Sequence, residues 1–430
     1  MNSLLACSWS RNARRRALIR ILSVAFLAAP FAALAASPGL TLPEALRLAN
    51  ERAPMLDARR AGITAAQEEA ARAGAWPDPM LTVGIDNLPV TGRDAFDSRA
   101  DDMTMKKIGL RQEIPSHAKR TARRSFAARQ VDEAQAQSQA EGLAVRRATA
   151  EAWIAAWTAQ RQVAALQRLR EQAALAAKVS KARVASGSEP ASDALATEAA
   201  VLELDNRIEA ARAEKAAAQA ALGRWLGDVA LEVSDTAPNF DALPVPEAQL
   251  LTAVDHVGPL LPATAQVETA AAAVDLARAD RRPDWSVAAS YGQRAGGRDD
   301  MIMLEVGVGL PLFARNRQDR GIAAREADYQ VALATREDLR RQEAARIRAD
   351  VARWEGLKRQ VALHEKSLLP LAQDRSTITL AAYRAGGELQ PWLNARRDEL
   401  DVHLAHAEHL GELGRAWAAL AFLLPMETQP

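Results

Sequence analysis

The chain is written twice. The segment "AWPDPMLTVGI" (75–85) resembles "RRPDWSVAASY" (281–291), with Pro77 and Pro283 206 positions apart. "DDMTMKKIGLRQEIP" (101–115) resembles "DDMIMLEVGVGLPLF" (299–313), with Asp101 and Asp299 198 apart. "RVASGSEPASDAL" (183–195) resembles "RAGGELQPWLNAR" (384–396), with Gly187 and Gly387 200 apart. Three landmarks in one order at nearly one offset mark an internal duplication, and a duplication decides the fold before any local pattern does.

Both halves follow one grammar. A moderate helix (43–74 and 247–281) leads to a short strand (80–88 and 284–293), a polar Gly/Asp-rich loop, a second strand (103–114 and 301–312) and a very long helix (117–184 and 316–384). A glycine-marked turn then starts a return helix (191–226 and 390–423). This divides the chain into a first repeat at 36–226, a Pro-rich equatorial linker at 227–246 and a second repeat at 247–430.

The strands alternate with period two. Ile302, Leu304, Val306, Val308 and Leu310 share one face, while Met303, Glu305, Gly307 and Gly309 share the other. Trp285, Val287, Ala289 and Tyr291, and also Leu81, Val83 and Ile85, alternate with small or polar residues in the same way. Apolar outside and polar inside over about ten residues is the pattern of a transmembrane barrel strand. An ordinary half-buried antiparallel sheet gives the same alternation, so the helices have to decide. A stretch of 68 residues at 1.5 Å per residue makes a rod of about 100 Å, too long for a compact domain. The shorter helices could line such rods end to end. Four strands are too few to close a barrel. The expected architecture is therefore mainly α with a small β part: three chains build a 12-stranded outer-membrane β-barrel continued by a long periplasmic α-helical barrel.

Composition agrees with rods. Apolar residues make up 49% and aromatics only 4%, the difference being mostly alanine, which lets helices approach closely. The N-terminus reads as a secretory signal peptide over 1–35: Arg11, Arg14, Arg15, Arg16 and Arg20, an apolar run from Ile21, then Ala33-Leu34-Ala35. Removing those five arginines leaves 50 basic against 54 acidic residues, no basis for nucleic-acid binding. The single cysteine, Cys7, leaves with the signal, so neither a disulfide nor a thiolate metal site is expected. No later apolar run reaches the length of a membrane helix, so a membrane crossing must be made by strands.

"LTLPEALRLANERAPML" (40–56), "RRPDWSVAASYGQR" (281–294) and "LPLFARNRQDRG" (310–321) resemble the TolC-type outer-membrane factor family, the last two its heavy-metal, CzcC-like branch. The resemblance covers essentially the whole mature chain. It implies a homotrimer in outer-membrane lipid and periplasmic tips that meet an adaptor protein. It also implies an inner-membrane RND transporter, with no cofactor and no enzymatic activity. The corresponding function is the exit duct of a three-part pump exporting heavy-metal cations. A duct for drugs or organic compounds is the nearest alternative, and a soluble periplasmic coiled-coil scaffold or metal-binding protein the alternative of another class.

Candidate sites follow. The resemblance places adaptor-docking tips at the two turns, with Gly187, Ser188, Gly386 and Gly387, and a periplasmic gate acid at Asp193. The second hairpin carries Asn394 where the family often has an acid. An acid opening a helix is also simply favoured by the helix dipole. Trp76 and Trp285 stand at strand entrances, where an aromatic belt lies. The repeated Asp-Asp-Met-x-Met (Asp101–Met105, Asp299–Met303) offers carboxylates and thioethers to cations, but reads as loop acids before ordinary strand residues. In "HLAHAEHL", His403/His406 or His406/His409 could pair on a metal, whereas all three cannot share one face. A zinc site wants three or four ligands, so a solvated coiled-coil face is the simpler reading. No Ser/His/Asp arrangement, phosphate loop or HExxH is present.

Overall fold

A computed structural model describes residues 39–227, 232–295 and 297–425. The expected signal peptide and Cys7 lie outside the described residues. Helices α1 (Leu42–Arg52) and α2 (Pro54–Arg72) open the chain. They are two helices where one was expected over 43–74, because Pro54 cannot donate the hydrogen bond that would carry α1 onward. Strands β1 (Met80–Asp86) and β2 (Met105–Ile114) follow, then α3 (His117–Ala185) and α4 (Ala191–Leu226). The second half brings a short α5 (Glu247–Thr252), α6 (Leu260–Ala279), β3 (Trp285–Arg294) and β4 (Met301–Val308). It ends with α7 (Gln318–Leu363), α8 (Leu369–Arg384) and α9 (Gln390–Ala421).

The 69 residues of α3 make one unbroken rod of about 100 Å. Ser116 caps it by accepting from the Lys119 amide at 3.3 Å, which satisfies one of the first-turn donors. The second rod, expected over 316–384, is helical throughout 318–384 but is not one regular α-helix. A π turn at His364–Leu368 separates α7 from α8. Pro370 is the cause. It has no amide to give the Lys366 carbonyl and its ring crowds that turn, and the Leu369 amide passes over Glu365 to bond the His364 carbonyl.

Shorter helices line the rods in tandem. Towards the sheet, α2 and α6 pack on α3: Arg59 of α2 reaches Gln137 and Glu141, and Thr269 of α6 reaches the Arg129 carbonyl. Towards the turns, α4 and α9 take over: Arg170 of α3 pairs with Asp205 of α4, and Arg396 of α9 donates to the Leu169 carbonyl. Between these levels sits the main core, with Trp153, Trp157, Leu222, Phe240, Leu250, Ile347 and Leu413 among its buried residues.

The linker is not a mere separator. The indole N–H groups of Trp157, Trp354 and Trp417 donate to the carbonyls of Asp235, Phe240 and Ala242 at 3.1, 2.8 and 2.9 Å. Trp153 holds the Leu40 carbonyl at 2.8 Å, and Leu40 forms a parallel bridge with Val233. Four tryptophans on three helices thus pin one band of extended chain around the core. Their rings supply apolar area while each polar edge satisfies a carbonyl that packing would otherwise strand.

The four strands form one antiparallel sheet in the order β1-β2-β3-β4. The strand expected over 301–312 stops at Val308: Gly309 still adds one rung to the Asp284 carbonyl, but Pro311 has no amide to pair, so Leu310 lies beyond the strand. Those expected over 80–88 and 103–114 are Met80–Asp86 and Met105–Ile114, and that over 284–293 is Trp285–Arg294.

Candidate functional site

Register fixes what each face of the sheet presents. Leu81, Val83 and Ile85 pair with Leu110, Ile108 and Lys106. Ile108, Leu110 and Ile114 pair with Tyr291, Ala289 and Trp285. These in turn pair with Ile302, Leu304 and Val308. Side chains of directly paired residues share a face, so one face is apolar from edge to edge apart from Lys106, Gln112 and Gln293. It is also bare: Ile302 is 77% and Leu304 79% exposed. The opposite face carries Thr82, Asp86, Lys107, Arg111, Ser286, Ser290 and Glu305. Lys107 pairs there with Asp86 at 3.2 Å and Arg111 with Glu305 at 3.0 Å. Both β1 and β4 end the sheet with unpaired edges. No helix among the described residues is long and apolar enough to cross a membrane.

Trp285 opens β3 on the apolar face, half exposed, and Trp76 precedes β1 with the Arg120 guanidinium 5.7 Å from its ring centre. The acids of the repeated Asp-Asp-Met-x-Met close loops. Asp102 pairs with Arg298 at 2.7 Å, while Asp300 binds the Tyr291 hydroxyl and the Arg294 amide.

At the far end both rods stop in the same way. The Ser188 and Gly187 amides bond the Arg183 and Val184 carbonyls, and the Gly387 and Gly386 amides bond those of Ala382 and Tyr383. These are paired Schellman caps. Their pivots are Gly187 (φ 70°) and Gly386 (φ 104°), a backbone region open to glycine at little cost. The structural partner of Gly187 is therefore Gly386 and not Gly387, one position off the offset read from sequence.

The two turns are tied together by residues the sequence did not single out. Glu189, just after the first cap, accepts from the Tyr383 hydroxyl at 2.7 and 2.9 Å and from Ser180 at 3.0 Å. Arg183 donates to the Tyr383 carbonyl at 2.8 Å and lies over its ring, which stacks on Trp392. Burial, and then the Glu189 carboxylate, push the Tyr383 phenol above its ordinary pKa. Asp193 sits apart from this network in the first turn of α4, half-buried, with Ser192 as its side-chain partner at 3.3 Å. Asn394, on the second hairpin, pairs with Gln390 at 3.0 Å.

His403, His406 and His409 lie on α9, and the structure adds His364 from the π turn, which stacks on His406 and meets His409 edge-on. The only sequence signal for His364 was Pro370, six residues on.

A sheet with one lipid-compatible face, two open edges and 100 Å rods hung from it defines a channel-forming protein of the outer membrane. The chain belongs to the outer membrane efflux protein family, whose model matches residues 45–228 and 259–424. It is an efflux channel of that membrane, its helical rods on the periplasmic side. A similar sequence is the cobalt-zinc-cadmium resistance protein CzcC of Cupriavidus metallidurans, 27% identical over 326 residues that cover 71% of this chain and 75% of that protein. The fold is shared with the outer membrane protein VceC of Vibrio cholerae (TM-score 0.71, 18% identity, 89% of this chain and 96% of that one). It is also shared with CusC (TM-score 0.75, 13% identity, 89% of this chain and 92% of that one).

Proposed function

We propose that this chain is the trimeric outer-membrane duct of a three-part pump exporting heavy-metal cations. The observation that carries the duct is the four-stranded sheet, apolar on one face and open at both edges. Three copies pairing edge to edge give twelve strands, enough for a wet barrel, and remove every exposed edge. The cation cargo rests on the likeness to CzcC. Transport is passive here, and the driving energy belongs to an inner-membrane transporter reached through a periplasmic adaptor.

The capped turns with Gly187, Ser188, Gly386 and Gly387 are the docking tips in this reading. A groove of about 340 Å³ lies further along α3, α4 and α9, where apolar Leu169, Leu204, Trp392 and Leu400 mix with charged Glu203, Arg207, Arg396 and Arg397. Asp193 rings the closed end as a gate acid, while Glu189 and Tyr383 hold the two hairpins shut. Trp76 and Trp285 anchor the sheet at the membrane boundary. We assign the chain no catalytic activity and no nucleic-acid partner.

Deleting the gene should raise sensitivity to Co²⁺, Zn²⁺ or Cd²⁺ and leave sensitivity to drugs unchanged, with the tagged protein recovered as a heat-sensitive trimer in the outer-membrane fraction. Drug sensitivity alone would move the cargo to organic compounds. Recovery as a soluble periplasmic monomer would sink the duct.

A further inference from the structure

Four of the six histidines fall on two facing helical segments: His364 on the π turn, and His403, His406 and His409 on α9. The π turn is what brings His364 there. Its ring lies over that of His406, centroids 6.1 Å apart and 21° from parallel, and edge-on to His409 at 5.1 Å. Three of the rings have a polar neighbour on one nitrogen. His364 bonds the Val402 backbone, His406 Nε2 lies 3.8 Å from Glu365, and His409 Nδ1 lies 3.5 Å from Glu412. Nδ1 of His364 and Nδ1 of His406 are both buried with no protein partner.

A ring nitrogen held by an acceptor on one side presents a lone pair on the other, the arrangement that supporting residues give a metal-binding imidazole. Two imidazoles on one tetrahedral ion, with bonds of 2.0–2.1 Å, have centroids about 5 Å apart. His364 and His409 already stand at that separation, and His406 is about 1 Å further out. Because His406 and His409 are three residues apart, they share a helix face. Among the described residues no three donors yet converge on one point. Convergence requires the rings of His406 and His409 to turn about their second side-chain torsion, which is broad and soft, while His364 keeps its bond to Val402.

We infer that His364, His406 and His409 form a binding site for a borderline divalent cation between the π turn and α9. Imidazole donors suit Zn²⁺, Co²⁺, Ni²⁺ or Cu²⁺ and not Mg²⁺ or Ca²⁺. His403, whose Nε2 lies 3.9 Å from Glu399, is not part of it. The site stands on the chain's own residues and not on what the duct exports, so an export assay can fail while this binding holds.

The test is a titration of the full-length trimer in detergent with Co²⁺, read by its visible absorption near neutral pH. One Co²⁺ per chain is expected, displaced by Zn²⁺ and not by Mg²⁺. His364→Ala and His406→Ala should weaken it at least about tenfold, and His403→Ala should leave it unchanged. His364→Gln keeps a polar side chain without an imidazole, and its trimer can be checked for heat stability. In a properly folded trimer it must bind as weakly as His364→Ala. A His364→Ala or His364→Gln titration that superimposes on the wild type, or a wild type that takes up no stoichiometric Co²⁺, overturns the site.

Discussion

Glu189 shows how much of the tip rests on single side chains. Its carboxylate is 4% exposed, with hydroxyl donors from Tyr383 and Ser180 and the Arg183 Nε at 4.0 Å. Tyr383→Phe removes a donor and leaves a buried acceptor short, at a cost of about 1–3 kcal/mol to the contact between hairpins. The expected result is a higher resting conductance in planar bilayers and faster proteolytic nicking at the turns. Unchanged values for both would show that the pair does not hold the tip. His406 supplies a pH signature. Its folded pKa of about 4 lies below the ordinary histidine value, so the unfolded chain binds the extra proton between the two. Stability is then fully present above about pH 6.5 and lost as pH falls towards 4. His406→Leu should flatten the fall of the melting temperature over that window. An equally steep fall in the variant would assign the acid sensitivity to other groups.

At the scale of elements, the legible parts were those whose signal is local. The strand faces could be read because period two needs only neighbouring residues, and the length of α3 because nothing in 117–185 interrupts it. Strand ends were set by partners instead: β4 stops at Val308, opposite Trp285 where β3 begins, which no alternation reveals. The break between α7 and α8 was written in Pro370, yet its consequence, a histidine turned towards α9, needs the packed bundle to be visible. Glu189 meets Tyr383 across 194 positions, and the band at 232–246 meets tryptophans from three helices. Each of these groups looks ordinary in its own stretch of chain. The caps can be probed directly. Gly386→Ala forces a side chain to φ 104° and should cost about 1–2 kcal/mol. The loss should appear as faster hydrogen exchange confined to the amides around 385–389, with global melting little changed. Protection equal to wild type would mean that the turn relaxes to another conformation.

The whole molecule is governed by the two faces of one small sheet. A chain that ends in unpaired β1 and β4 edges and bares Leu304 and Ile302 is a fraction of an object, and both features are resolved by one act of assembly in lipid. Burial in a bilayer and edge pairing must therefore be coupled, which separates the effects of neighbouring residues on β4. Leu304→Arg places a charge on the apolar face, at about 2–4 kcal/mol if it sits near the bilayer midplane. The expected outcome is loss of heat-sensitive trimer from the outer-membrane fraction. Glu305→Gln, the next residue, lies on the polar face opposite Arg111. It should assemble normally and shift the open channel towards anions, because each of three subunits loses a lumen carboxylate and leaves an arginine unpaired. Reversal potentials in a salt gradient read the second effect and membrane fractionation the first. If both substitutions blocked assembly equally, the sheet would be buried on both faces and would line no pore.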